Sequence, residues 1–182
     1  YAFGRLRFPG KNFLVSLVLI QMMVPPQIFL LPQYLMISKL GMLNTTFALV
    51  FPGLVSAFGT YLLKTSFQGL PKDLEEAAEI DGCNIGQRFL MIMAPLTRSG
   101  MVSLGIFTAV FAFKDLMWPM IACTSIETTS LSAALAKMQG QFAANYPQLM
   151  AAALMACIPM IVIYLIFQKQ FVEGIATSGG KL

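Results

Sequence analysis

The residues that could carry chemistry are few in this chain. Its 182 residues include no histidine, and its three cysteines, Cys83, Cys123 and Cys157, are spaced far apart with no CxxC pair. Histidine is the commonest metal ligand and a frequent general base, and metal sites show closely spaced ligands. The residue types therefore give no support to a metal centre, a disulfide framework or a nucleophile–base set for catalysis.

Acidic residues form the one dense group. The stretch EEAAEIDGCNIGQRF at residues 75–89 holds four of the eight acids of the chain: Glu75, Glu76, Glu79 and Asp81. Pro71 suits the first turn of a helix, where its missing N–H is not needed. Asp73 and the first two glutamates then place negative charge at the positive end of the helix dipole. Gly82 is placed to end this helix in a left-handed cap.

A second short helix is predicted directly after this glycine. Asn84 has the position of an N-cap, and Gln87, three residues later, completes a capping box. The helix is expected to run until Pro95. One side of it would be apolar, formed by Ile85, Phe89, Ile92 and Met93.

The first of these helices has a narrow face of small residues. Leu74, Ala77, Ala78 and Asp81 share that face at helical spacing. Small side chains allow another surface to approach closely, and carboxylates set the register of such a contact by charge. The alternative is a helix lying flat on lipid, but anionic headgroups would repel an acidic polar face. The pattern therefore favours a protein partner.

The elements that hold this acidic segment are membrane spans. Hydrophobic residues make up 57% of the chain and charged residues 11%, against about 45–50% and about 25% in soluble domains. Uncharged runs of 27, 24 and 31 residues exceed the roughly 20 that a span needs. We predict an all-α bundle with spans at 12–37, 42–63, 100–122 and 146–168, and with a loop at 64–98 between the second and third.

The basic residues predict the orientation of these spans. Four spans place the N-terminal segment, the loop and the C-terminus on one side, which carries nine basic residues: Arg5, Arg7, Lys11, Lys64, Lys72, Arg88, Arg98, Lys169 and Lys181. The other side carries Lys39 and Lys137. By the positive-inside rule the side with nine is cytoplasmic. Cys83 is then cytoplasmic, and Cys123 lies near the outer surface, where a membrane-impermeant thiol reagent could reach it.

Two charges lie inside the third predicted span. A charge there costs roughly 2.5–3.5 kcal/mol on insertion scales. Lys114 and Asp115 point roughly 100° apart on a helix and cannot line one narrow groove together. Either Asp115 faces a water-filled pathway or braces a neighbouring helix, or the segment enters the membrane only partway and both charges reach water. Trp118 fits an interfacial anchor better than a platform for stacking a ligand.

Three prolines interrupt the first predicted span: Pro25, Pro26 and Pro32. Breaks of this kind are tolerated in a membrane only against protein or a water-filled cavity. The first span therefore either lines a pathway or packs with a kink against another helix.

The C-terminal stretch GIATSGGKL has a superficial likeness to a phosphate-binding loop. Its Lys181 is followed by Leu182 rather than by Ser or Thr, and Ile175 occupies the position of the first glycine. Phosphate cradling also needs the loop between a strand and a helix. The chain is not expected to bind ATP by itself.

The acidic stretch also matches a family motif. Glu76, Ala77 and Ala78 are followed by Gly82 after three residues, and then by an isoleucine after nine more and a proline. This spacing resembles the EAA loop of ATP-binding-cassette (ABC) importer permeases, a coupling helix that docks into a groove on a cytoplasmic ATPase. The resemblance assigns that role to Glu76, Ala77, Ala78, Asp81, Gly82, Ile92 and Pro95.

Longer stretches resemble the sugar-uptake branch of that family, in particular the smaller permease of maltose-type transporters. They are YAFGRLRFPGKN, LGMLNTTFALVFPGL, LPKDLEEAAEIDGCN and FVEGIATSGGKL. Two places depart from the family pattern. Ala94 stands where the family prefers Leu, and Phe113 with Lys114 stands where sugar permeases commonly read Trp-Asn. Carrying the family's substrate contacts onto Lys114, Asp115 and Trp118 is therefore only a hypothesis.

The resemblance implies a single transmembrane domain over residues 1–182, with the type I ABC importer permease fold. It implies six spans, of which this chain would hold the last four and lack an N-terminal part. The function implied is import of a solute, a sugar or oligosaccharide, across the cytoplasmic membrane by alternating access. The implied partners are ABC ATPase subunits that hold ATP and Mg²⁺, a second permease, an extracytoplasmic solute-binding protein and membrane lipid, without nucleic acid.

Two other classes of transporter stay open from the residues alone. A permease of the same type for a non-sugar solute would share the loop and differ in its pocket. A secondary transporter would need no ATPase, and would more often show paired intramembrane acids or histidines, of which only Asp115 is present. A membrane enzyme is disfavoured by the lack of a nucleophile–base set.

Overall fold

The computed structural model describes residues 1–139 and 145–179. Within these residues the chain is built from helices and contains no strand, which confirms the predicted all-α class. Residues 180–182, the end of the GGKL stretch and the site of Lys181, lie outside the described residues. The chain folds into two compact units.

The first unit comprises Tyr1–Val24 and Val55–Gly105, together with the chain from Lys169 onward. Its helices are α1 (Ala2–Arg5), α2 (Lys11–Met23), α5 (Ala57–Gln68), α6 (Asp73–Ile80), α7 (Ile85–Gln87), a π-helical segment (Arg88–Met93), α8 (Ala94–Leu96) and the start of α9 (Arg98–Lys114). Its most buried side chains belong to Phe67, Ala78, Met93, Thr97 and Ser103.

Helix α5 is the scaffold of the first unit. It begins at a serine cap, where Ser56 Oγ accepts from the Gly59 N–H at 2.9 Å, satisfying a donor that has no partner within the helix. Two neighbours approach it closely through glycines. A Cβ added at Gly4 of α1 would lie 3.1 Å from the Lys64 carbonyl oxygen, and one at Gly100 of α9 would lie 2.6 Å from Ser66 Oγ. The small residues thus permit tight packing on α5.

The second unit comprises Pro25–Leu54 and Ile106–Gln168. Its elements are a 3₁₀ turn (Pro26–Phe29), α3 (Leu30–Lys39), α4 (Thr46–Val50), a second 3₁₀ turn (Phe51–Gly53), the end of α9, α10 (Met117–Ala122), α11 (Leu131–Met138) and α12, which starts at Tyr146 and runs on to Gly179. Its core cluster consists of Ile37, Ala48, Trp118, Ala122 and Cys123.

Two polar side chains of the second unit form hydrogen bonds with the backbone of residues 123–125, directly after α10. Asn44 adopts a positive φ of 60°, and its Oδ1 accepts from the backbone N–H of Thr124 at 2.7 Å and of Ser125 at 3.1 Å. Lys137 Nζ donates to the carbonyls of Cys123 and Thr124 at 3.1 and 3.0 Å. Polar backbone groups that would otherwise be orphaned are therefore paired.

The described residues contain one helical segment long and apolar enough to cross a membrane unaided. It is Tyr146–Gln168, the 23-residue first part of α12, which coincides with the predicted span at 146–168. Three further helix pairs pass the same test of length and composition only if each is taken as one bent crossing. The described residues thus offer between one and four crossings.

The other predicted spans each include a break. Within 12–37, α2 ends at Met23 and helix resumes at Pro26, because prolines remove ladder donors and clash with the preceding turn. Within 42–63 the break follows the turn Phe51–Gly53. Within 100–122, α9 ends at Lys114 and helix resumes at Met117, so the two mid-span charges lie at the break.

Candidate functional site: the acidic segment α6–α8

Helix α6 forms at the acidic stretch and ends where Gly82 was predicted to end it. It carries three acids in its first turn, while Pro71 lies just outside the helix rather than within that turn. Gly82 has φ +80°, its N–H donates to the Glu79 carbonyl at 3.0 Å, and the Cys83 N–H donates to the Ala78 carbonyl at 2.9 Å. These two bonds define a Schellman motif, which requires a left-handed residue.

The second helix begins at the predicted capping box. The Gln87 N–H donates to Asn84 Oδ1 and the Asn84 N–H donates to Gln87 Oε1, both at 2.9 Å. The helix then passes through the π-helical segment Arg88–Met93 and continues to Leu96, so the prediction that it stops at Pro95 is wrong. Pro95 lies within α8 near the end of this continuous helix, where its ring nitrogen donates no hydrogen bond to the preceding turn. The chain bends by 72° between Leu96 and Arg98.

The structure divides the predicted coupling residues by exposure. Glu76, Ala77, Asp81, Gly82 and Pro95 are exposed, and Ile92 is half-buried. Ala78 departs from the prediction, because we expected it to admit an outside surface and it is instead 4% exposed within its own unit. Its side chain lies on the inner face of α6, where a larger residue would collide with the unit's own core.

Ile80 is a surface residue that the sequence interpretation missed. Its side chain is 87% exposed, and it lies three, four and seven residues after Ala77, Glu76 and Asp73, all of which are exposed. Residues at this spacing share one helix face. We call these four residues the docking ridge: a small residue and an isoleucine bordered by two carboxylates. The available signal was an isoleucine placed four residues after an acid, outside the predicted small-residue face of the helix.

Glu75 points away from the docking ridge and into the first unit. Its carboxylate pairs with α1: Oε2 lies 3.3 Å from Arg5 Nε, and Oε1 accepts from the Tyr1 hydroxyl at 2.7 Å. The side chains of the ion pair are only 6% (Arg5) and 16% (Glu75) exposed. Burial and, next, the bond to Glu75 raise the pKa of Tyr1 to about 12, so this phenol remains a proton donor at neutral pH.

A second ion pair joins the two short helices on their outer side. Arg88 Nη1 lies 2.9 Å from Glu79 Oε2, with side-chain exposures of 15% and 70%. A pair with one partner this exposed is screened by water and contributes little stability. Its role in the segment is geometric, because it spans the turn at Gly82.

The predicted pathway residues lie in the second unit and differ among themselves. Lys114 and Asp115 are exposed at the break between α9 and α10. Trp118 is 6% exposed, and its indole N–H donates to the Ala48 carbonyl at 2.9 Å. This tryptophan is therefore a core residue, which does not fit the interpretation as an interfacial anchor. A role in the pathway stays a prediction for Lys114 and Asp115.

The cysteines also differ from one another. Within the described residues none is paired: Cys83 is half-buried, Cys123 is buried and Cys157 is exposed. The burial of Cys123 contradicts the expectation that a thiol reagent could reach it, because its thiol packs in the core of the second unit and contacts the Thr45 carbonyl. Over residues 1–139 and 145–179, no three His, Cys, Asp or Glu side chains are grouped as a metal site would require.

A family comparison decides what kind of protein carries this segment. The family described as "Binding-protein-dependent transport system inner membrane component" matches residues 2–176. The chain belongs to this family. Its members are transport components of the membrane, which agrees with the predicted transporter subunit and not with a membrane enzyme.

Curated relatives of this transport family are about one third identical to the chain over the aligned residues. The "Arabinooligosaccharides transport system permease protein AraQ" of Halalkalibacterium halodurans is 32% identical over 181 residues, covering all of this chain and 65% of the relative. The "sn-glycerol-3-phosphate transport system permease protein UgpE" of Salmonella typhi is 33% identical, covering 94% and 62%. The chain thus spans a little under two thirds of the length of these relatives.

A solved structure supports the fold of this family member. It is a bacterial ABC transporter involved in import of the acidic polysaccharide alginate, and it matches with a TM-score of 0.81 at 23% identity. The match covers 94% of this chain and 65% of that chain. The predicted ABC importer permease fold is therefore confirmed.

Proposed function

We propose that the chain is the permease subunit of an ATP-driven importer and that its docking ridge binds a cytoplasmic ATPase. The observation that carries the proposal is the exposure of the ridge, on a short helix closed by a Schellman turn, in a chain of this transport family. Ala77 admits close approach, Ile80 supplies an apolar centre, and Asp73 and Glu76 form a charged border. Interfaces commonly combine an apolar centre with a polar rim that sets register.

The mechanism we propose is alternating access driven from this ridge. The ATPase subunits hold ATP and Mg²⁺ and perform the hydrolysis, so this chain needs no cofactor of its own. When they close, helix α6 moves with them as a unit, because its C-terminal end is held by the Schellman motif and is followed directly by the capping box of α7. Movement of packed helices relative to one another is an established form of switching. The spans then reorient around the solute.

The partner set we propose has three protein members. The family description supports a solute-binding protein and, with it, an energy-supplying subunit. A second, related permease is proposed on the basis of the sequence resemblance, and the exposed apolar side chains along α12, such as Leu154, Met155 and Ile158, provide a surface suited to lipid or to another membrane subunit.

The solute we propose is a sugar or oligosaccharide. The names of the relatives favour it, since they specify arabinooligosaccharides and, for the solved structure, an acidic polysaccharide. A non-sugar solute is the second candidate, because another relative is named for sn-glycerol-3-phosphate. Uptake assays in vesicles with labelled arabinotriose, an alginate oligosaccharide and glycerol 3-phosphate separate these candidates, since a preference for glycerol 3-phosphate would overturn the sugar proposal.

We also propose that α6 faces the cytoplasm, with the C-terminal side of α12 on the same face. The excess of basic residues on that side supports this orientation. Cys83 lies directly after Gly82 and is half-buried, so it reports on the loop. A membrane-impermeant maleimide should leave Cys83 unlabelled in intact cells and label it in inside-out vesicles, whereas labelling from outside would reverse the proposed orientation.

The docking role is tested at Gly82. A Cβ there meets nothing within 4 Å, so Gly82→Val acts through its positive φ, a conformation that costs a β-branched residue at least about 1–2 kcal/mol. We expect membrane insertion to persist and co-purification of the ATPase from detergent to fall.

Gly41 offers a matched control for this test. It has φ +66° and likewise no neighbour within 4 Å of an added Cβ, but it lies in the second unit. Gly41→Val should leave ATPase co-purification at the parent level. Full ATPase binding and transport by Gly82→Val would mean that α6 is only a solvated loop helix.

A further inference from the structure

The carboxylates of α6 have two different environments. Asp73 and Glu76 are exposed on the docking ridge, and the Glu79 side chain is 70% exposed. The Glu75 side chain is 16% exposed and both of its oxygens have partners on α1. Burying a charge is unfavourable unless it is paired and hydrogen-bonded, so the position of Glu75 depends on α1. Of these two adjacent glutamates, Glu76 is thus exposed on the docking ridge, whereas Glu75 points into the first unit of the chain.

Arg5 connects more than this one carboxylate. Besides its contact with Glu75, its Nη2 donates to the Leu70 carbonyl, and also to the Pro71 carbonyl at 3.3 Å. Those two carbonyls belong to the turn that joins α5 to α6. One guanidinium therefore holds both the start of the acidic helix and the connection through which that helix is attached to α5. The fixed fork of donors on Arg suits this arrangement, which the point charge of Lys would not reproduce.

The Tyr1 ring extends the same contact to α5 and to the π-helical segment. Its centroid lies 5.6 Å from that of Phe67, edge to face, and 5.3 Å from that of Phe89. The Phe67 and Phe89 rings are 6.1 Å apart. Aromatic pairs at these distances are mutually stabilising. Gly4, which lies between the N-cap residue Tyr1 and Arg5 at the end of α1, approaches the Lys64 carbonyl closely, so α1 has little freedom to move on α5.

We propose that α1 is a clamp for coupling, in which Arg5 and Tyr1 hold Glu75 and so transmit displacement of α6 to α5. Both are positioning residues, because they act on the acidic helix from inside the chain and leave the docking ridge free. The proposal rests on the proposed docking function and adds to it the element that receives the motion. Without the clamp, the ATPase would still bind α6 but could close without moving α5.

The test uses the assembled transporter in vesicles, with variants of the three contacting residues. Arg5→Met removes the guanidinium, Glu75→Gln removes the charge, and Tyr1→Phe removes only the hydroxyl and keeps the ring contacts. Arg7→Met is the matched control, since Arg7 lies two residues away and is exposed. ATPase co-purification, ATP hydrolysis per bound ATPase without solute, and arabinotriose uptake per ATP hydrolysed are measured for each.

We expect Arg5→Met and Glu75→Gln to retain the ATPase and to lower uptake per ATP by at least about fivefold, the lower end of site-to-site coupling effects. Solute-independent hydrolysis should rise, which a purely structural loss would not produce. The double variant should be no worse than either single one, because the two residues act through one contact. Arg5→Lys should recover only part of the coupling.

The outcomes separate this proposal from the docking proposal. Coupling in Arg5→Met and Glu75→Gln equal to that in Arg7→Met would overturn the clamp while leaving docking intact. Loss of ATPase co-purification in these variants would also overturn it, since the clamp residues would then be part of the docking surface. If Arg5→Met does not accumulate in the membrane, Tyr1→Phe decides, with a smaller shift expected in the same direction. If the parent does not import arabinotriose, solute-independent hydrolysis remains the readout.

Discussion

Two regions of the molecule differ in how exposed their polar and apolar side chains are. The acidic segment of the first unit leaves carboxylates and an isoleucine exposed along the docking ridge. The core of the second unit pairs its polar atoms internally, with the buried Trp118 indole N–H donating to the Ala48 carbonyl, while on its surface Asn44 Oδ1 accepts from two backbone N–H groups. Exposed apolar surface bordered by charge indicates an interaction site, whereas a satisfied polar network makes a region rigid.

Different kinds of residue carry the role of each region. In the second unit a large aromatic residue carries the packing, so its loss should affect the fold. In the acidic segment the outward residues should affect association and the inward ones the fold or the transmission of motion. Substitutions in the two regions can therefore confirm or contradict this difference between packing residues and interface residues.

The largest effect is expected at Trp118. Replacing a buried tryptophan by alanine costs about 3–5 kcal/mol, and Trp118→Ala also leaves the Ala48 carbonyl without its donor. Thermal unfolding in detergent should show a markedly less stable protein. Met117→Ala, on the same helix at a side chain that is 53% exposed, is the control and should change little. Equal stability of the two variants would show that the core does not depend on this residue.

A smaller effect separates two adjacent alanines. Ala78 is 4% exposed, so Ala78→Leu should overpack the first unit and destabilise it by about 1–3 kcal/mol. Ala77 is exposed, so Ala77→Leu should leave thermal stability unchanged while blocking close approach of the ATPase. Detergent unfolding and co-purification measure the two properties separately. The same phenotype for both variants would contradict the division of α6 into an inner and an outer face.

Local features of the acidic segment could be predicted from the sequence. The positive φ of Gly82 and the capping box between Asn84 and Gln87 depend on residues within a few positions of one another, and glycine and asparagine have strong preferences there. The all-α class of the chain also followed from composition and length. These features involve no distant contact, and pattern is sufficient to find them.

Long-range contacts could not be predicted in this way. The Tyr1–Glu75 and Trp118–Ala48 hydrogen bonds join residues 74 and 70 positions apart, and no local pattern indicates such a pairing. The inward direction of Ala78 depends on which side of α6 meets the rest of the unit. The breaks within three predicted spans were signalled by prolines in one case, but the break after α9 became evident only in the structure.

The smallest effect is expected at Glu76, on the docking ridge. Glu76→Lys reverses an exposed charge without altering the packing, so stability should fall only by the lost interaction with the helix dipole, about 1 kcal/mol or less. Exposed ion pairs change association by about two- to fivefold, and salt screens them. Weaker ATPase co-purification at low salt, approaching the parent at high salt, would support the role of this charge in setting register. Glu127→Lys, an exposed reversal in the second unit, should leave association unchanged at every salt concentration. A salt-independent loss for Glu76→Lys would instead mean that its side chain fits sterically into the partner. Glu76 would then not act through its charge at the border of the ridge.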